Sequence, residues 1–379
     1  MKILGIETTC DETSAAVVHD GKTILSNIIA TQYEFHKEYA GIVPEIASRK
    51  HHEVINYVIE KSLSTSHLKF QDIDAVAVSY YPGLIGCLLV GLVVAKTISF
   101  TLGIPLIGIN HLEAHLYSVH FNNDVEYPVI GLIISGGHTL LVVSEKIGHY
   151  EIKGSTLDDA IGEAFDKVSK HLGLGYPGGP AIEEIAKKGD EEAFQFPRVI
   201  LNRGNNRYNF SYSGLKNAVI NQRKSFLKKG HKNSTANIAA SFQAAATDVL
   251  MIKALWARKD FHINRVVLAG GVANNERTRK IFKNKKDLIT YLPEKSLTQD
   301  NAAMVAGLAY YKYLQGDIKD LTLEPQSRIK NIVKDHLQSR CLLTHRYEAL
   351  KTKPKDITTV KAGGFKTAVK GKRKKYGNP

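Results

Sequence analysis

Two stretches of this chain are versions of one device. "GIETTCDETSAAVV" begins at Gly5 and "GLIISGGHTLLVV" begins at Gly131. Each is an apolar strand that runs into a short polar loop and returns as a second apolar strand, which is the pattern of a hairpin. In the first copy Asp20-Gly21 then turns the chain into a further strand over 22–28. The copies lie roughly 125 residues apart, far beyond the repeat of a solenoid. Such a spacing predicts a duplicated domain, each half opening on a loop that faces a shared cleft.

Elsewhere strands and helices alternate. "IDAVAVSYYPG" reads as a strand ending in a turn, "LIGCLLVGLVVAKTISFTLG" as a helix, "IPLIGI" as a short strand and "NHLEAHLYSVHF" as a helix. Later come a long helix, "ANIAASFQAAATDVLMIKALWARKD", a strand, "INRVVLAGG", a helix, "VANNERTRKIFKN", a strand, "LITYLP", and a helix, "TQDNAAMVAGLAYYKYLQG". The alternation predicts α/β layers with parallel pairing away from the hairpins. Two hairpin-led α/β halves match the pattern of the actin-like ATPases and sugar kinases. That is the duplicated, ribonuclease H-like ASKHA fold, with two lobes around a nucleotide cleft. The predicted lobes are 1–109 plus 297–338, and 110–296, followed by a basic, disordered tail over 339–379.

Length and composition are those of a soluble globular protein of two or so domains: 379 residues, 43% apolar and 23% charged. A net charge of +14 and a pI near 9.4 point to a polyanionic partner, most simply nucleic acid. From Lys361 to Lys375 the chain holds seven Lys or Arg and no acid. The other half of the charge therefore falls on the folded part. Cys10, Cys87 and Cys341 are too few and scattered for a disulfide framework or a paired-cysteine zinc site. The N-terminus enters a strand at once, without a signal or transit segment, so a cytoplasmic protein is expected. The most apolar run, Leu84 to Ala95, ends at Lys96. It is too short for a bilayer and reads as a buried helix, so no membrane partner is expected.

The chemistry begins at "GINHLEAHLYSVH". On a helix His111 and His115 lie about 40° apart and can grip one ion, whereas Glu113 lies about 200° from His111 and points away. A zincin peptidase needs H-E-x-x-H, with the glutamate beside a ligand. The order here is H-x-E-x-H, which argues against a peptidase. Spacing alone leaves two surface histidines slightly ahead as the simpler account, because no third ligand is local. Asp300, in "LTQDNAAM", can supply that ligand or can be an ordinary helix N-cap. Two histidines and a carboxylate leave coordination positions open and suit Fe(II) or Zn(II).

Glycine loops supply the second element. "SGGHT" offers backbone N–H groups unobstructed by Cβ atoms, as a phosphate nest does. "AGGVANN" places two glycines between strand and helix, where an adenine or ribose could approach the backbone. "YPGGPAIEE" adds a third pair beside acids that could accept ribose hydroxyls, and Asp166 stands on the preceding helix. Each alone is compatible with a plain turn; together they favour a nucleotide in an interlobe cleft. Thr8, Thr9, Asp11 and Glu12 cluster in the first loop. A carboxylate there could orient a nucleophile or bind a metal, or the loop could satisfy its own backbone. No G-x-x-x-x-G-K-[ST] sequence is present, so the phosphate site is not a P-loop.

The run "KTISFTLGIPLIGINHLEAHL", Lys96 to Leu116, resembles the long signature of the TsaD family, formerly called glycoprotease or Gcp. "GIETTCDETSAAVV", "SGGHT", "YPGGP", "FSYSGLKNAV", "GGVANN" and "TQDNAAM" follow that family's order, over about residues 1–337. The resemblance is to a bacterial member. It implies an actin-like fold and transfer of the threonylcarbamoyl group from threonylcarbamoyl-AMP to N6 of the adenosine at tRNA position 37, in tRNAs reading ANN codons (t6A formation). It implies that His111, His115 and Asp300 bind one divalent metal per subunit, Fe(2+) ahead of Zn(2+). Ile134, Ser135, Gly136, Gly137 and His138 would hold the phosphate and acyl part. Asp166, Gly179 and Asn275 would bind the adenylate, with Glu183 on the ribose, and Asp11 and Glu12 would be the catalytic acids. Implied partners are tRNA, TsaB-like and TsaE-like accessory proteins, and a TsaC/Sua-type synthase that supplies the intermediate. Departures are Glu183, where many members have Asp, Asn274, where a small residue is usual, and the tail after about Gln338. The competing reading is an actin-like ATPase or small-molecule kinase with a structural metal, which predicts phosphate release without tRNA and little loss in His111→Ala.

Overall fold

The computed structural model describes residues 1–328 apart from Ala40 and Arg203, so the tail expected over 339–379 and the segment 329–338 lie outside the described residues. The chain opens with a meander of β1 (Lys2–Glu7), β2 (Glu12–His19) and β3 (Thr23–Thr31). Two helices follow, α1 (Tyr33–Lys37) and α2 (Pro44–Thr65), and then β4 (Ala75–Tyr81), α3 (Ile85–Leu102) and β5 (Leu106–Asn110). These strands form a sheet of order β3-β2-β1-β4-β5. The meander is antiparallel, and β4 and β5 add in parallel.

After α4 (His111–Tyr117) the plan repeats with β6 (Val129–Ile134), β7 (Thr139–Lys146) and β8 (His149–Ser155). A helical block then intervenes: α5 (Ile161–His171), α6 (Gly178–Ala186), α7 (Ser213–Asn221) and α8 (Thr235–Phe261). It leads into β9 (Arg265–Ala269), α9 (Glu276–Lys283) and β10 (Ile289–Tyr291), and α10 (Ala302–Leu314) follows. The second sheet runs β8-β7-β6-β9-β10. Its hairpins are antiparallel, and its β6–β9 and β9–β10 pairs are parallel, as in the first sheet. The repeat legible in the sequence is therefore a repeat of topology.

Side chains alternate across each strand, and the first sheet buries both faces. Leu4, Ile6, Val17, Val76 and Val78 pack on the α2 and α3 side. Ile3, Ala16, Ala77 and Ile107 pack with α10 and with Ala114 and Tyr117 of α4. Gly5 permits the close approach of α10: a Cβ there would lie 2.4 Å from the Ala302 carbonyl oxygen. That seating brings the residues just before α10 against the end of β1. In the second half α5, α6, α7 and α8 close over Ile130, Leu132 and Leu141.

One expectation needs correction. The apolar run after Leu84 is not a wholly buried helix. Cys87, Leu88, Leu92 and Ala95 are buried, but Leu89, Val93 and Phe100 of the same helix are 46%, 58% and 76% exposed. The helix is apolar all round, so its sequence carries no periodic signal of which face the sheet covers. It is also 18 residues long, and by length and composition it could span a bilayer. Here it packs one face on the first sheet.

Candidate metal centre and nucleotide cleft

His111 is the first residue of α4, directly after β5. Asn110 caps the helix: its side-chain oxygen accepts from the Leu112 N–H at 2.9 Å and the Glu113 N–H at 3.4 Å. The cap starts the helix at the strand's end, so the two histidines project together from its first turns. Both are buried, at 6% and 0% exposure, which excludes a pair of surface histidines. Asp300 is not the cap of α10. That role belongs to Asn301, whose Oδ1 accepts from the Met304 N–H at 3.1 Å. Asp300 is thereby left to face the histidines. Its Oδ1 lies 3.0 Å from His115 Nε2 and 3.6 Å from His111 Nε2. One ligand atom from each of the three residues lies within 4.8 Å of the others. Glu113 points away, as its helical offset predicts, and pairs with Lys312 of α10 at 3.0 Å.

The charges around this triad are tightly linked. Burial opposes ionisation of Asp300, but His111 and His115 outweigh it and hold the carboxyl below its usual range. Burial also opposes the charge on His111, yet Asp300 and Glu7 push the imidazole up to about 9. His138 goes the other way, to about 4, because burial and then His111 and His115 disfavour its cation. Glu12 is raised well above the usual range by burial, then by Asp11 and Asp300. Asp300 thus stands near enough to the first loop to disfavour the charge on Glu12.

The loop between β6 and β7 is closed on itself. The Ser135 N–H donates to the His138 carbonyl at 2.8 Å, and the His138 N–H donates to Ser135 Oγ at 3.1 Å. Gly136 and Gly137 form its tip, where an added Cβ would meet nothing within 4 Å. From behind, the loop is held by two other glycines. The Gly162 N–H donates to the Ser135 carbonyl at 3.2 Å, and a Cβ on Gly162 would sit 2.6 Å from that oxygen. Gly270 has φ +89° and would place a Cβ 2.6 Å from the Ile134 carbonyl. The Gly270-Gly271 pair thus differs from the expectation that both glycines admit a ligand. Gly270 admits its own protein's backbone, and only Gly271 borders open space. Gly178 and Gly179 divide the same way: a Cβ on Gly178 would lie 2.5 Å from Asp166 Cα, whereas one on Gly179 would meet nothing within 4 Å.

Asn275 caps α9 and also bridges two acceptors. Its Nδ2 donates to Gln243 Oε1 at 2.8 Å and to Glu183 Oε2 at 3.3 Å. Glu183 Oε1 accepts from the Glu276 N–H at 3.1 Å. Glu183, Gln243, Glu276, Arg277 and Lys280 line a cavity of about 510 Å³, enough for a small-molecule ligand. Asp166 Oδ1 accepts from the Gly178 N–H at 2.6 Å.

Burial, with help from Asp11, outweighs that bond and pushes the Asp166 carboxyl from 3.8 up to about 6. Between those values the unfolded chain releases the proton while the folded one keeps it. Ionisation of Asp166 thus weighs against the fold as pH rises through this window. Asp166→Asn retains an acceptor for Gly178 and never ionises. Its melting temperature relative to wild type is expected to rise between pH 4 and pH 7 and then level off, which thermal melts at a series of pH values will read.

Several residues of the site are not among those expected from sequence: Glu7, Ser79, Gln243 and Gly162. Glu7 is the one with a visible signal, an acid closing the otherwise apolar strand "KILGIE".

Residues 23–307 match the family model described as TsaD, tRNA N6-adenosine threonylcarbamoyltransferase. The tRNA N6-adenosine threonylcarbamoyltransferase of Brachyspira hyodysenteriae is 50% identical over 331 residues, covering 87% of this chain and 97% of its own. That of Treponema denticola is 46% identical over 334 residues, 88% of this chain and 99% of its own. Component A of the Acidaminococcus fermentans (R)-2-hydroxyglutaryl-CoA dehydratase has a similar structure, with a TM-score of 0.50 at 16% identity over 83% of this chain and 99% of that one. Full-length HypF, in its phosphate- and nucleotide-bound form, gives 0.54 at 15% identity over 82% of this chain and 54% of that one. These distant likenesses show the actin-like fold alone. The close relatives and the family match show more: the chain belongs to the TsaD family of tRNA N6-adenosine threonylcarbamoyltransferases.

Proposed function

We propose that this transferase moves the threonylcarbamoyl group from threonylcarbamoyl-AMP to N6 of adenosine 37 in tRNAs reading ANN codons, using one divalent metal, Fe(2+) ahead of Zn(2+), held by His111, His115 and Asp300. The observation that carries this reading is the convergence of two buried imidazole nitrogens and one carboxylate oxygen within 4.8 Å. The donor set carries one negative charge, fits a divalent cation and leaves positions open. A metal bound there supplies positive charge to an oxygen of the phosphate or carbamoyl group.

In this proposal the open tip at Gly136-Gly137 offers backbone N–H donors to the phosphate. His138, kept neutral beside two histidines, serves as a hydrogen-bonding group rather than a charge. Asp166, Gly179 and Asn275 contact the adenylate, and Glu183 the ribose. The lobes proposed to enclose it are 1–109 plus 297–338, of which 329–338 lies outside the described residues, and 110–296. In the transfer, N6 forms a bond to the carbamoyl carbon, the bond from that carbon to the phosphate oxygen breaks, and AMP leaves. The amine is a weak nucleophile until it loses a proton, and a carboxylate of the Asp11–Glu12 pair takes that proton. Burial and the neighbouring Asp11 and Asp300 raise the proton affinity of Glu12.

The net charge of +14 supports tRNA binding with salt-sensitive affinity. TsaB-like and TsaE-like proteins are the proposed accessory partners, a TsaC/Sua-type synthase the proposed source of the intermediate, and the cytoplasm the proposed compartment. The exposed apolar face of α3, with Leu89 and Val93, supports a protein partner. The test is reconstitution with tRNA, threonylcarbamoyl-AMP and the accessory proteins, read by nucleoside mass spectrometry. Wild type is expected to yield N6-threonylcarbamoyladenosine and Asp11→Ala much less. Phosphate release without modified nucleoside would instead favour the small-molecule kinase.

A further inference from the structure

We propose that Glu7 is a positioning residue for His111: its carboxylate holds the Nδ1–H and so makes Nε2 the nitrogen that would meet the ion. The inference rests on the reading of His111, His115 and Asp300 as a metal centre. It concerns how this chain prepares one of those ligands.

Glu7 closes β1 and is 0% exposed. A carboxylate placed there loses its hydration, a loss that burial in a strand end does not by itself require. Its oxygens face three groups. Oε1 accepts from the Thr9 N–H at 2.7 Å. Oε2 lies 2.6 Å from Ser79 Oγ and 3.0 Å from His111 Nδ1. The Thr9 N–H can only donate, and the Ser79 hydroxyl can donate or accept. The imidazole is the group whose state depends on what Glu7 offers. An ionised carboxylate is acceptor-only, so His111 Nδ1 must carry a proton. In the neutral ring the lone pair then sits on Nε2, the nitrogen 3.6 Å from Asp300 Oδ1.

The neighbouring groups are consistent with that assignment. The Thr9 hydroxyl lies 3.3 Å from His111 Nδ1 and donates to Asp300 Oδ2 at 3.4 Å. Its oxygen is therefore a second acceptor beside Nδ1. His115 differs: its Nδ1 is buried and has no hydrogen-bond partner among the described residues. The two histidines are thus held unequally. His115 depends on the helix and on Asp300, while His111 is tied to the first sheet through β1 and β4. Outer partners of this kind set the tautomer and the ring orientation of metal-binding histidines.

Glu7→Gln separates this role from packing, because it preserves shape. If the amide oxygen keeps the Thr9 N–H, the amide NH₂ faces Ser79 and His111. Ser79 can turn to accept, but His111 Nδ1 must also accept, which moves the ring proton to Nε2 and blocks the ligand position. The full-length protein, freed of metal, is titrated with Zn(2+) against a chromophoric chelator. Glu7→Gln is expected to weaken the dissociation constant about 10- to 100-fold while its metal-free melting temperature stays near that of wild type. A dissociation constant within twofold of wild type overturns the proposal.

A second measurement needs no variant. In ¹⁵N-histidine spectra of the Zn(2+)-loaded wild type, with His111 assigned by its loss in His111→Ala, Nδ1 is expected to be protonated. An Nδ1-metallated His111 overturns the proposal. His115→Ala is the control for the underlying reading: wild type that binds no Zn(2+), or a His115→Ala protein that binds it as tightly, removes the metal centre itself. Tight binding by wild type, lost in His115→Ala but kept in Glu7→Gln, removes only the role of Glu7.

Discussion

Replacing His115 by alanine is expected to abolish stoichiometric metal binding and to lower the rate of threonylcarbamoyl transfer by at least about a hundredfold, the scale at which a metal's charge stabilises a transition state. His115 is fully buried, and its Nε2 lies 3.0 Å from Asp300 Oδ1. The substitution leaves Asp300 and His111 as two donors, too few to retain a divalent ion against water. It also removes one of the imidazoles that hold the Asp300 carboxyl low. Metal analysis and transfer rates measured on the same folded preparation check the result. A variant that keeps its metal, or that transfers within threefold of wild type, would place the chemistry elsewhere and support a structural ion.

Gly162→Ala is expected to lower kcat/KM for threonylcarbamoyl-AMP about 10- to 100-fold while leaving metal content unchanged. The new methyl carbon would lie 2.6 Å from the Ser135 carbonyl oxygen and 2.8 Å from Gly136 Cα. Both are backbone atoms of the loop, so no side chain can swing aside to relieve the clash. The loop must shift, and with it the N–H groups proposed to receive the phosphate. A displacement near 1 Å at a positioned group costs about a hundredfold in rate. The nearest atoms to the added methyl all belong to Ser135 and Gly136 and not to the three metal ligands, so an intact metal content distinguishes loop displacement from general damage. Unaltered kinetics in Gly162→Ala would mean that the β6–β7 loop does not hold the substrate.

These two residues differ in how far sequence alone could take them. The histidine pair, and the outward turn of Glu113, follow from the period of one short helix. The duplicated hairpins follow from two-residue alternation and a tight turn, both readable within a window of about twenty residues. The topology they announce, with two sheets of identical strand order, is the one found. Gly162 carries no such mark. Its importance depends on the backbone of Ser135 and Gly136, which reaches this helix residue from the β6–β7 hairpin. The same holds for Gly270 and Gly178, which look like their neighbours Gly271 and Gly179 until the opposing backbone is known.

Asp300 and Asn301 were equally able to cap a helix, since both side chains offer an acceptor. Only the path of the chain, which turns Asn301 to the Met304 N–H, released Asp300 for the histidines. Glu7 meets His111 across 104 residues and Ser79 across 72, through strands that lie side by side only once the sheet forms. The exposed face of α3 is likewise unmarked in a helix apolar on every side. Local periodicity and turn chemistry therefore determined the elements, the duplication and two of the three proposed ligands, because their information lies within a few residues of chain. The third ligand, the tautomer-setting carboxylate and the division of labour within each glycine pair were decided by tertiary packing. Each depends on which groups come within about 3 Å across long loops, a distance that no local pattern encodes.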